Sequence, residues 1–135
     1  MIKVEVNYRV NSPQKFEAFF EKILKKAAAE FKIKSMEISV ALVSRPTIKE
    51  LNLCYRHKAA VTDVLSFEEV NEIVICLAQA KIQSKKKGRG VTQEVVFLFV
   101  HGLLHLLGFK HQTDRAERQM NGLTDKILRA SGFLN

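Results

Sequence analysis

Residues 101–111 read His-Gly-Leu-Leu-His-Leu-Leu-Gly-Phe-Lys-His and hold three of the four histidines of the chain. From Val95 to Leu107 the sequence is apolar nearly all round if helical, so this helix has to lie inside the fold rather than on its surface. His101 and His105, four residues apart, then share one face a turn apart and can aim at a common point. Gly108 is placed to end the helix and turn the chain sharply, after which His111 can swing back with a third ring nitrogen. Three protein nitrogens with a vacant fourth position are the pattern of a catalytic zinc-type site, whereas structural zinc is usually closed by four protein ligands. Two imidazoles buried in an apolar helix need polar partners, and a metal ion supplies them.

The elements around this helix are expected to alternate. Residues 2–9 alternate apolar and polar as a strand, and Ser12-Pro13 has the form of an N-cap with proline at the first helical position. Phe16, Phe19, Phe20, Ile23, Leu24, Ala27, Ala28 and Phe31 follow at helical spacing. Residues 36–43 read as a second strand, and Thr47 with Glu50 has the capping-box pattern of a short helix reaching about Tyr55. Val61–Phe67 and Glu72–Leu77 read as two more strands, followed by a helix from Ala78 to about Lys85. Lys85 to Gly90 reads as a basic loop, Thr92 as the cap of the histidine helix, and Asp114 with Glu117 as the capping pair of a last helix ending near Gly132. The expected fold is α+β, a single domain over residues 1–135. About four strands form a mixed sheet packed against helices, one of them buried and carrying the histidines.

Composition bounds the function classes. A chain of 135 residues with 47% apolar and 27% charged residues is long enough for one sizeable core, which argues against both disorder and a disulfide scaffold. The alternating first ten residues do not fit a signal peptide, and no segment reaches the roughly 18 uninterrupted apolar residues of a membrane span. A cytoplasmic protein without membrane contact is expected. Cys54 and Cys76, without CxxC spacing, read as small core residues. Lys and Arg exceed Asp and Glu by 22 to 14, a formal charge of +8 that favours a polyanionic partner and by itself leaves RNA, DNA and an anionic membrane open.

The H-x3-H-x5-H spacing with its glycine also occurs in HExxHxxGxxH metalloproteases, where the glutamate after the first histidine is the general base. Here that position is Gly102, which cannot take a proton.

The chain resembles the YbeY family of rRNA maturation factors, metal-dependent endoribonucleases with a metalloprotease-like α+β fold. Residues 101–109 are similar to the family's HGxLHLxGY signature, with His111 as the third ligand, and Thr62-Asp63-Val64-Leu65-Ser66-Phe67 is similar to its TDVLSF signature. Ile38-Ser39-Val40, Glu50-Leu51-Asn52 and Tyr55-Arg56 resemble the pattern leading into it. Three positions depart: Lys110 where the family usually has aspartate, Glu68 where proline is usual, and Asn71-Glu72-Ile73 where Gly-Asp-Ile is expected. Lys110 exchanges a carboxylate for a cation beside the ligands, which removes an acceptor for an imidazole N–H or adds a phosphate contact.

The resemblance implies a metal-dependent hydrolase, an endonuclease acting on single-stranded RNA in ribosomal RNA processing and ribosome quality control. Its ligands are His101, His105 and His111, and its ion is one divalent metal, taken as zinc, although imidazoles also suit nickel, copper and iron. Arg56 is carried over as the cationic group that grips a phosphate and stabilises the transition state. Asp63 and Ser66 are expected to shape the strand and its turn. Ribosomal RNA, with ribosomal proteins or particles, is the implied partner, and no small-molecule cofactor is expected. Two alternatives differ in class. One is an RNA- or ribosome-binding protein with a mainly structural metal, using Lys85 to Arg89 as an electrostatic contact; the other is a metal-dependent protease lacking the glutamate base.

Overall fold

A computed structural model describes residues 1–134 of the chain. Four strands, β1 (Ile2–Tyr8), β2 (Met36–Val43), β3 (Val64–Phe67) and β4 (Glu72–Cys76), form one sheet in the order β1-β2-β4-β3. The first three in that order run parallel, and β3 is antiparallel to β4 at the edge. Five helices complete the α+β fold: α1 (Glu17–Glu30), α2 (Arg45–Arg56), α3 (Leu77–Lys87), α4 (Val91–Leu106) and α5 (Asp114–Ala130).

The sheet is covered on both faces. Ile38, Val40 and Leu42 of β2 with Ile73 and Ile75 of β4 meet α1, α4 and α5 in the main core, where the Phe20 and Phe99 rings stack at 4.3 Å. Ala41, Val43, Val74 and Cys76 point to the other face and pack with Leu65 and with Ile48 of α2. Covered strands of this kind read as continuous apolar runs, whereas β1, half-buried at the far edge, keeps the alternation seen in the sequence. Helix α4 is buried along most of its length, as its all-round apolar character requires.

The element types hold, but four caps lie elsewhere than expected. Helix α1 starts at Glu17, not at Pro13, because Tyr8 at the end of β1 does the capping: its hydroxyl accepts from Phe16 N at 2.8 Å and donates to Glu17 Oε1 at 2.6 Å. Ser12 instead donates to the Gln14 carbonyl, holding a turn. Ser44, not Thr47, caps α2, with Pro46 in its first turn. Gly90 stands at the cap of α4, its N–H donating to Gln93 Oε1, while Thr92 accepts from the Gln14 side chain. Thr113, not Asp114, caps α5 by accepting from Ala116 N. Each true cap has extended backbone or an acceptor brought by another element, which side-chain type alone does not report.

Two further expectations are corrected. Cys54 is exposed on α2 rather than buried, while Cys76 is in the core as expected. The Lys85–Arg89 stretch is not a free basic loop. Lys85 to Lys87 finish α3, Gly88 ends it at φ 66°, and Lys87 and Arg89 turn inward onto Glu94. Glu94 is fully buried, and two cations at 3.2 and 2.7 Å with an Arg89 Nε hydrogen bond at 2.8 Å offset the cost of placing a carboxylate there. Among the described residues no helix is long and apolar enough to cross a membrane.

Candidate metal centre and its cleft

Helix α4 delivers the first two imidazoles. His101 Nε2 and His105 Nε2 stand 3.2 Å apart, close to the about 3.3 Å that two nitrogens on one tetrahedral zinc ion would keep. The helix ends as the sequence predicts, with Gly108 at φ 95°, its N–H donating to the His105 carbonyl and Phe109 N to the Leu104 carbonyl. This paired 5→2 and 6→1 closure is a Schellman motif, which reverses the chain within two residues. His111 follows on the turn before α5, and its ring centroid lies 5.4 Å from that of His101 and 5.0 Å from that of His105. One donor nitrogen from each ring lies within 4.8 Å of the others. The helical pair already stands at ligand spacing, and the exposed His111 ring brings a third donor nitrogen within 4.8 Å of them.

Electrostatics keep the pair ready for a cation. Burial pushes the His101 imidazole below its ordinary value, with the His111 ring adding to the effect and Asp63 opposing it. Burial likewise lowers His105, to about 4, helped by His101, His111 and Lys110. Both rings are therefore neutral at pH 7 and have lone pairs to give, so the donor set fits a divalent metal of zinc type. The Phe97 ring stacks on His101 at 6.2 Å and carries Lys87 and Arg89 over its face at 4.9 and 4.8 Å, linking the buried Glu94 cluster to the first imidazole. Phe97 lies four residues before His101 on α4, so the same i,i+4 spacing that pairs the two imidazoles marks it as a histidine neighbour, a signal the sequence reading did not use.

The glycine between the histidines has a packing reason. A Cβ at Gly102 would lie 2.8 Å from Ile73 Cγ2 and 3.2 Å from Ser66 Oγ, so α4 can approach β3 and β4 only without a side chain there. Ser66 donates to the Gly102 carbonyl at 3.1 Å and ties the edge strand to the helix between the two imidazoles. There is no room for the glutamate of a metalloprotease at this position. Asp63 accepts from Val64 N at 2.8 Å and from Gln83 Nε2 at 3.2 Å, so it shapes the start of β3 as expected of it.

The three imidazoles form one wall of a cleft of about 800 Å³ at the β3 edge. Residues 62–69 also line it, as do Tyr55 and Arg56 at the end of α2. The resemblance alone had drawn attention to Arg56, and the fold places it in the same cleft as the imidazoles. Among the described residues no carboxylate is in ion-pair contact with it. Glu72 lies outside the cleft lining, paired in the ladder with Phe67 and Ser39. Asn71, where glycine is expected, takes the left-handed conformation at φ 49°, which asparagine tolerates better than most residues.

Fold and cleft together define an α+β protein in which three imidazoles could hold a metal ion while one side stays open to a large groove. The family model described as Endoribonuclease YbeY matches residues 2–132, and the chain belongs to that family. It is 34% identical over 137 residues to the Endoribonuclease YbeY of Sulfurihydrogenibium sp. (strain YO3AOP1), covering 93% of this chain and 90% of that protein. The protein of the same name from Staphylococcus saprophyticus is 39% identical over 112 residues, covering 72% of this chain and 73% of its own length. The solution structure of TM1509 from Thermotoga maritima superposes with a TM-score of 0.66 at 25% identity, covering 95% of this chain and 88% of that one.

Proposed function

We propose that the protein is a metal-dependent endoribonuclease that cuts single-stranded RNA during ribosomal RNA maturation in the cytoplasm. His101, His105 and His111 hold one divalent ion, taken as zinc. The observation that carries this reading is the open side of the three-imidazole group facing a cleft that also holds an unpaired guanidinium. Family membership supports RNA as the substrate, and the charge of +8 supports a polyanionic partner.

A divalent ion bound there supplies Lewis-acid polarisation of a phosphate oxygen and activation of water. The residues of the chain do the positioning. His101 and His105 stay neutral because of burial and so keep their donor lone pairs. Arg56 grips a non-bridging phosphate oxygen pair and stabilises the charge that grows as phosphorus becomes five-coordinate. Leu65 and Phe67 of β3 supply apolar wall beside the polar groups, which strengthens electrostatics in the cleft.

The structural-metal alternative is less favoured, since neither cysteine nor any other donor among the described residues closes the group to four ligands. The test is incubation of purified, nuclease-free wild type and Arg56→Ala with ribosomal RNA in the presence of metal. Cleavage by the wild type and its loss by at least tenfold in Arg56→Ala is the expected result. Equal cleavage by the two would remove Arg56 from the mechanism, and steep salt-dependent binding without cleavage by either would favour a binding protein.

A further inference from the structure

The lining of the cleft that holds the imidazoles includes an aromatic residue that the catalytic reading leaves unused. Tyr55 is 64% exposed, among the most exposed large side chains of the fold. Its ring stands edge-to-face against Phe67, with centroids 4.9 Å apart at 67°. Phe67 is itself half-buried and packs against the second core, with Leu65, Val74 and Cys76, so it is a fixed anchor for an otherwise free ring. Tyr55 is also the residue before Arg56, and both line the cleft with the three imidazoles.

From this arrangement we propose that Tyr55, braced by Phe67, is the platform on which an unpaired base stacks while Arg56 holds a phosphate of the same strand. The proposal rests on the endoribonuclease reading and adds the device that makes the cleft selective for single strands. A base has two π-faces, and inside a duplex both are covered by its neighbours, so away from the duplex ends only an unstacked base can lie on a protein ring. Tyrosine suits the task because it has few rotatable bonds, and the Phe67 contact fixes its orientation before the strand arrives. The free guanidinium alongside, on a chain of charge +8, selects a polyanion over an apolar protein segment as the occupant. Stacking on an aromatic ring tolerates every base, so the platform discriminates strandedness and not sequence.

The test uses the metal-loaded protein and a short sugar-methylated RNA strand carrying a fluorescent purine analogue, whose emission is quenched on stacking. Wild type is expected to bind the strand and quench it. Tyr55→Ala should bind the single strand roughly tenfold or more weakly and lose the quench, while Tyr55→Phe restores both. A duplex that holds the same sequence in its interior, flanked by long paired arms, should bind wild type and Tyr55→Ala equally. Since the ring is exposed, the alanine variant is expected to fold, and an unchanged melting temperature checks that. Undiminished single-strand affinity and quench in Tyr55→Ala, or an equal loss for the duplex, overturns the platform. In that event, continued cleavage of ribosomal RNA leaves the nuclease reading standing. A wild type that quenches the strand but never cleaves RNA overturns the nuclease reading alone.

Discussion

Lys110 Nζ lies 3.4 Å from Glu68 Oε1 across 42 residues of sequence, so two positions where the chain departs from its family signature are partners at the mouth of the cleft. Both side chains are more than half exposed, and such a pair contributes only about 0–1 kcal/mol to stability. Its effect is electrostatic. Lys110 is one of the charges that depress His105, so removing the lysine should raise the pKa of the imidazole. In the metal-free protein, the His105 ring resonances of Lys110→Ala are expected to titrate at higher pH than those of wild type by NMR. A titration at the same or lower pH would contradict the assigned cause.

Acid should destabilise the metal-free protein over a defined window. His101 and His105 bind protons less tightly when folded than the ordinary value of 6.5, so below that value the unfolded chain takes up more protons than the folded one. Stability is then full above pH 6.5 and falls as pH drops through the folded value of about 4 for His105. Urea unfolding of chelator-treated protein across this range should show the loss, and His105→Gln should flatten it. A wild-type curve no steeper than the variant's would refute the linkage.

Metal should stabilise the fold through all three rings. At a free ion concentration a hundredfold above Kd, a ligand that binds only the folded state adds about 2.7 kcal/mol, or roughly 10 °C in Tm for a chain of this size. Elemental analysis should return one equivalent of metal in wild type, and chelation should remove the thermal shift. Both His105→Ala and His111→Ala are expected to lose metal and shift together. Stoichiometric, tightly held metal in His111→Ala would exclude the loop ring as a ligand.

Gly102→Ala should cost stability although alanine is the better helix former. The propensity gain is about 1 kcal/mol, whereas the new methyl meets Ile73 Cγ2 at 2.8 Å in a packed core, where overpacking costs about 1–3 kcal/mol. The net expectation is a loss of roughly 1 kcal/mol in urea unfolding, together with weaker metal binding as α4 is pushed from β3 and the Ser66 hydrogen bond lengthens. A stabilised variant with unchanged metal affinity would show that α4 has slack there.

The helix carrying the imidazoles, its burial and its end at Gly108 were legible in residues 95–111, and so was the gathering of three rings. Each depends on contacts within a few residues: the i,i+4 spacing puts His101 beside His105, and a left-handed glycine reverses the chain to His111. The strand and helix types were legible for the same reason, since periodicity is local. Tertiary structure alone decided what meets across the chain. Tyr8 took the capping role expected of Ser12, Lys87 and Arg89 turned from solvent to Glu94, Gly102 met Ile73 and Ser66, and Glu68 found Lys110. These partners are set by how the sheet edge and α4 pack, and distant residues acquire a mutual distance only when the core closes. Residue type can say that a group needs a partner, while packing selects which one it gets.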